Sequence, residues 1–303
     1  MSHQGHAHGV VEGADAKRLA RGLALIVAFM AAEIVAGILA HSLALLSDAA
    51  HMLTDAGALL LSLVVIRLVR RPASGNVTFG LRRLEALSAQ ANGAMLLVLA
   101  ALIVYGAIRR LVTPPSPDGL TIVIVASAGI VVNLLATREL ARADRSSLNI
   151  EGSFQHLVTD LFAFVATFAA GAVILARGFN RADGIAALAV AAITLRAAVQ
   201  LLRASGRVLL EMAPEQVSVA EIGRVMASYP NVTEVHDLHV WEIGSGFPAL
   251  SAHVLVEAEA DCHAIRRELE QLVAERFAID HTTLQVDHAQ AGLLQIGSER
   301  IRH

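Results

Sequence analysis

Long apolar stretches dominate the first two thirds of the chain and stop after Glu211, beyond which charged residues become dense. Six such runs can be drawn, at about Gly22–Ala40, Leu43–Ile66, Leu84–Ile108, Leu120–Thr137, Phe154–Ala176 and Gly184–Leu202. Crossing ~30 Å of hydrocarbon takes roughly 17 to 25 helical residues, so each run has the length of a span. The pattern predicts an all-α polytopic membrane domain with six transmembrane helices over residues 17–208. The remainder changes period. Pro214–Ser228 reads as an amphipathic helix, Glu234–Ile243 alternates as a strand, and Gly244–Gly246 is a turn. Leu250–Glu257 reads as a second strand, and Asp261–Phe277 as a helix with apolar positions at Ile265, Leu269, Leu272 and Val273. Thr282–Asp287 closes as a third strand, giving a small α+β domain in the order αββαβ over residues 209–290. Residues 1–16 and 291–303 read as tails, the first a flexible one carrying His3, His6 and His8.

Composition narrows the class. Of 303 residues, 55% are hydrophobic, 17% charged and 4% aromatic, which fits a multi-span membrane protein and not an average soluble domain. A net charge of -3 supplies no basic field, so no nucleic-acid partner is expected. One cysteine, Cys262, excludes an internal disulfide and any site built from several thiolates. The 13 histidines are the metal-binding resource instead. Arginine and lysine set the orientation, because they collect on the cytoplasmic side of spans. The flank before the first run, the second-to-third and fourth-to-fifth connections and the segment after the sixth run are Lys/Arg-rich, from Lys17, Arg18 and Arg21 through to Arg203 and Arg207. The opposite connections hold only Arg109, Arg110, Arg177 and Arg181, so both termini are expected in the cytoplasm, with the protein in the cell's inner membrane. The polar first 16 residues and the length of the first apolar run do not match a cleaved leader.

Chemistry enters with one spacing that occurs twice, His51-Met-Leu-Thr-Asp55 and His156-Leu-Val-Thr-Asp160, both inside apolar runs. A charged side chain at the bilayer centre costs at least ~2.5 to 3.5 kcal/mol, so ionisable groups there mark function. Residues four apart share a helix face, and Asp48 joins the His51/Asp55 stripe three residues earlier. At ~1.5 Å per residue, Asp55 lies roughly 18 Å below the outer end of its span and Asp160 roughly 15 Å from the inner end of the fifth. The two pairs can therefore meet near the midplane. Two imidazoles and two carboxylates form an N₂O₂ set suited to Zn²⁺, with Cd²⁺ or Co²⁺ also accommodated, and unsuited to Mg²⁺ or Ca²⁺. The bland alternative is a pair of buried histidines bonded to carboxylates as helix glue. Asp48 reads either as a cation-attracting residue at the outer mouth or as a cap on a hydrogen-bond network. Glu33, Gln90 and Asn92 read as packing hydrogen bonds, and Asn133 as a helix-packing amide more than as a group of the metal path.

The segments His41–Asp55, Thr78-Phe-Gly80-Leu-Arg-Arg83-Leu-Glu85, Ser147–Asp160 and His236-Asp-Leu-His-Val-Trp241 resemble the cation diffusion facilitator family, in order, from about Ala20 to Asp287. The paired HxxxD spacing looks like its zinc-transporting branch. The resemblance implies a homodimeric secondary transporter exporting divalent metal from the cytoplasm in exchange for protons, with a metallochaperone-like cytoplasmic domain. It also implies a second, regulatory zinc set at His236, His253 and Asp287, with His281 and His263 as further candidates. Strands ~4.8 Å apart let the first three share one face. Gln285 stands where some relatives have a histidine, and His288 should point away from Asp287. The connection from Arg70 to Arg83 has no His or Asp, and that from Glu139 to Ser153 no histidine, so no loop metal site is expected. The rival readings are a membrane-embedded zinc sensor that switches a partner without transport, and a transporter of Cd²⁺, Co²⁺, Fe²⁺ or Mn²⁺. No nucleophile or general base accompanies the motif, so an enzyme is not expected.

Overall fold

The computed structural model describes residues 8–39, 43–113 and 119–289, and the chain divides into two compact units, Met1–Leu209 and Leu210–His303. The first is helical: α1 His8–Leu39, α2 Leu43–Val69, α3 Arg83–Val112, α4 Gly119–Leu140, α5 Leu148–Arg177 and α6 Arg181–Leu209. Among the described residues, the stretches Arg83–Val112, Ile122–Leu140, Leu148–Arg177 and Arg181–Leu209 are each long and apolar enough to cross a membrane. Their outward faces carry large apolar side chains, as at Leu97, Val98, Leu102 and Ile108 on α3, which a hydrocarbon solvent accepts and water does not. The chain is a multi-pass membrane protein.

Each predicted run became a helix, longer than its apolar centre because polar first and last turns continue it. The amino-terminal tail shows this most. Residues 8–16, expected as flexible tail, belong to α1, whose Asp15 is buried and accepts from Arg18 Nη1 at 2.9 Å one turn on. Ala16 packs against the core beside it. His3, His6, His41 and the 291–303 tail lie outside the described residues, as do the side chains of His8, Glu33, Asp48 and His51.

The helices pack by two routes. α1, α2, α4 and α5 share one apolar core that includes Leu19, Ile26, Met52, Leu59, Leu63, Leu140, Ile150 and Leu157. α3 and α6 instead pair closely along their length. A Cβ added at Gly93 would come 2.9 Å from Leu202 Cγ, and one at Gly184 2.9 Å from Leu111 Cγ, so these glycines permit the close approach. α5 ends on Gly178, whose left-handed φ of 65° lets its N–H close on Ile174 O.

The second unit is a three-stranded sheet with two helices on one face: α7 Val219–Ala227, β1 Val232–Gly244, β2 Phe247–Val256, α8 Cys262–Phe277 and β3 His281–His288. β2 is central, antiparallel to β1 and parallel to β3, with α8 as the crossover. Ile222 and Met226 of α7 and Ile265, Leu269 and Val273 of α8 pack on Leu250, Ala252, Val254, Val256 and Leu284. The expected αββαβ order is observed with shifted boundaries. α7 starts at Val219 and not at Pro214, because Ser218 accepts from Glu221 N and opens the helix as its cap. β2 starts at Phe247, three residues early. Pro248 is tolerated there because β3 pairs only from Ala249 onward, so β2 is still an edge at that point.

Candidate metal centre

On α5, His156 and Asp160 fall on one face, and α2 brings Asp55 against them. His156 Nε2 is 2.9 Å from Asp55 Oδ1 and 3.7 Å from Asp160 Oδ2. All three residues are buried, at 2, 5 and 6% exposure for His156, Asp55 and Asp160. Among the described residues they are the one set of three whose ligand atoms all lie within 4.8 Å of one another. A tetrahedral zinc shell with ~2.0 Å bonds needs ligand atoms ~3.3 Å apart, so small side-chain shifts would convert this cluster into three corners of such a shell. Apolar packing of Met52, Ala56 and Leu59 of α2 in the same core as Leu157 of α5 sets the approach. His51 lies on α2 one turn before Asp55. Its side chain and that of Asp48 are outside the described residues.

One to two turns away, toward the amino-terminal end of α5, a buried polar cluster ties three helices together. Asn149 donates through Nδ2 to Ser62 O at 2.9 Å and accepts from Ser88 Oγ at 2.7 Å. Ser153 Oγ donates to Ser62 Oγ at 2.7 Å, and Asn92 Nδ2 reaches the same Ser62 oxygen at 3.5 Å. All five residues are no more than 3% exposed. These bonds fix α2 against α5 and join α3 to both, so they hold the separation between Asp55 and His156. In hydrocarbon no water replaces a lost partner, which makes such a cluster a rigid spacer.

In the second unit the face of the sheet opposite the helices carries the other predicted set. His236 and His253 are directly paired across β1 and β2, with ring centroids 5.4 Å apart in an edge-on arrangement. Asp287 pairs with Leu255, one step along the same face, and accepts from Gln285 Nε2 at 2.8 Å. His281 stands six residues before Asp287 on β3, roughly 20 Å away at ~3.3 Å per residue, beside Phe247. His263 is in the first turn of α8, in the helical layer on the far side of the sheet from His253. Within one chain, then, His263 lies on the other side of the sheet from His236, His253 and Asp287, and His281 shares their face by parity but stands at the far end of β3 from Asp287. His288 Nε2 sits 2.9 Å from Ala260 O, pointing away from Asp287 as its parity requires. A bulge in β1 adds a residue absent from the predicted set. Asp237, at a left-handed φ of 55°, meets His239 Nε2 at 2.8 Å. That hydrogen bond, with the nearby imidazoles of His253 and His236, holds its carboxyl below the usual carboxylate range.

Residues 19–210 match the cation efflux transmembrane domain, and residues 214–289 match the cation efflux protein cytoplasmic domain. The chain belongs to the cation efflux family. Among its relatives in this family is the metal cation efflux system protein CzcD of Cupriavidus metallidurans, 36% identical over 94% of this chain and 90% of that protein. The cadmium, cobalt and zinc/H(+)-K(+) antiporter of Bacillus subtilis is 35% identical over 98% of each chain. The zinc transporter ZitB of Escherichia coli is 35% identical over 95% of this chain and 92% of its own length. A solved structure of the metal-bound C-terminal domain of the CzcD transporter is 34% identical, covers 23% of this chain and 97% of that one, and superposes with a TM-score of 0.23.

In this cation efflux protein the three buried candidate ligands were visible in the sequence through the four-residue spacing. The Ser62, Ser88, Asn149 and Ser153 cluster was not, because single small polar residues in apolar runs are common. The one available signal was the Asn149/Ser153 spacing of four, which repeats toward His156 on the same side of α5. Asp237 was missed because strict alternation puts it on the opposite face from His236; the bulge and left-handed turn bring it back.

Proposed function

We propose that the protein exports Zn²⁺ from the cytoplasm by metal/proton antiport, using His51, Asp55, His156 and Asp160 as the intramembrane site. The observation that carries this reading is the burial of an imidazole and two carboxylates from two helices at one point in an apolar bundle. Metal requires the imidazole neutral and the carboxylates ionised, so metal and protons compete for the same atoms. With the site open to each side in turn, an inward proton gradient displaces metal outward, provided the two states differ in affinity. Both termini are assigned to the cytoplasm by the arginine-rich connections, and the inner membrane is the location. A homodimer is the functional unit, supported by the match of the second unit to the family's cytoplasmic domain. There, His236, His253 and Asp287 would hold a regulatory zinc, and Asp237, beside the two histidines, is available to the same ion. Purified full-length protein tests the site directly: adding Zn²⁺ should release protons into weakly buffered solution. His156→Ala should remove the share due to the membrane site; undiminished release would overturn the assignment.

A further inference from the structure

α4 contributes apolar side chains to the core and no ligand to the metal centre described above, yet it carries two of the buried polar atoms without a hydrogen-bond partner, Asn133 Oδ1 and Thr137 Oγ1. Asn133 is 3% exposed and Thr137 9%. In an apolar interior an unpartnered amide oxygen keeps its full desolvation cost, so its retention calls for a partner that arrives later.

The packing of α4 on α5 says where these oxygens are. The two helices run antiparallel and touch through small residues. A Cβ at Gly119 would lie 3.1 Å from Gly171 O, and one at Gly171 would lie 2.7 Å from Ile122 Cγ2. Farther along, Gly129 lies directly against the ring of Phe164. Continuing that antiparallel register by one turn on each helix sets Asn133 opposite Asp160, and by a second turn Thr137 opposite His156. Gly129, Asn133 and Thr137 recur every four residues on α4, and Phe164, Asp160 and His156 do so on α5, so the stripes face each other.

We infer that Asn133 is a metal-path residue whose Oδ1 adds an oxygen to the shell of the ion held by Asp55, His156 and Asp160. The inference rests on the transport-site reading above and deepens it. Its consequence is for selectivity. Two imidazoles and two carboxylates make a closed tetrahedral shell that favours Zn²⁺; an amide oxygen raises the coordination number, which Co²⁺ accepts more readily than Zn²⁺. Asn133 therefore widens the range of transported ions, and Thr137, one turn on, lies along the same route.

The test uses full-length protein carrying His236→Ala and His253→Ala, so that the membrane site alone is read, with Co²⁺ and Zn²⁺ as probes. In that background Asn133→Leu should weaken Co²⁺ binding by about tenfold relative to Zn²⁺. It should also intensify the visible ligand-field absorption of bound Co²⁺, the signature of a change toward four-coordination. Asn133→Ala serves if the leucine variant does not fold. A Co²⁺-to-Zn²⁺ affinity ratio and a Co²⁺ spectrum both unchanged would overturn the role of Asn133. His156→Ala is the control: it should abolish binding of both ions, and if it does not, the transport-site reading fails and not merely the role of Asn133.

Discussion

His156 is the residue on which the site turns, because its Nε2 touches Asp55 on one helix and lies near Asp160 on its own. Replacing it with alanine removes the one nitrogen of the described cluster and leaves two carboxylates that repel each other in a medium without water. We predict that His156→Ala, reconstituted in vesicles, loses zinc-dependent proton movement while keeping the helix content of the parent by circular dichroism; normal proton movement would exclude His156 as a ligand. The same competition sets a pH dependence. Metal binds the neutral imidazole and the ionised carboxylates, so apparent Zn²⁺ affinity should rise with pH and fall as the pH is lowered. Zinc titrations at stepped pH measure this, and a pH-independent affinity would contradict it. Fourfold spacing made His156, Asp160 and Asp55 legible in the sequence. Asn133 was legible only as a polar residue in a span, since its placement opposite Asp160 depends on helix register that a one-dimensional pattern does not contain.

At the scale of elements, apolar run length was enough to locate the helices, because a span must satisfy its backbone internally and so must be helical. Their ends were not legible: α1 begins eight residues into the chain and α6 runs to Leu209, both continued by polar turns. In the second unit alternation found the strands, but the caps set the boundaries. Asp261 opens α8 by accepting from His263 N and Ala264 N at 3.0 and 2.9 Å. Its carboxyl is held below the usual range by those backbone donors, the one from Ala264 foremost. Asp261→Ala removes this cap and should loosen the first turn of α8, seen as faster amide exchange at residues 263–265 with the strands unaffected. Equal exchange in the variant would show that the cap contributes nothing. The polar cluster between α2, α3 and α5 makes a sharper claim. Asn149→Leu leaves the Ser88 hydroxyl without its acceptor and removes the side-chain bond to the Ser62 carbonyl, and should lower thermal stability in detergent by about 1 to 3 kcal/mol and weaken metal binding at a site it does not touch. Stability lost with metal affinity intact would show that the cluster is a packing feature and not the spacer of the site.

For the whole molecule, a membrane-embedded helical unit of the cation efflux family holds the candidate metal centre, and a separate α+β unit presents histidines on an open sheet face. The division of labour proposed for them, transport in the first and metal-dependent regulation in the second, predicts that His236→Ala with His253→Ala lowers the number of Zn²⁺ bound per chain without abolishing transport at saturating metal. A double variant unable to transport at any metal concentration would place essential chemistry in the second unit instead. The central claim is that protons drive the metal through the intramembrane site. Vesicles containing the purified protein, loaded with a zinc-sensitive dye and given external Zn²⁺, measure it most directly. With the interior made acidic relative to the outside, zinc uptake through inward-transporting molecules should accelerate, should collapse when a protonophore dissipates the gradient, and should be absent in His156→Ala. Zinc flux that is the same with and without the gradient, or that persists in His156→Ala, would contradict the account.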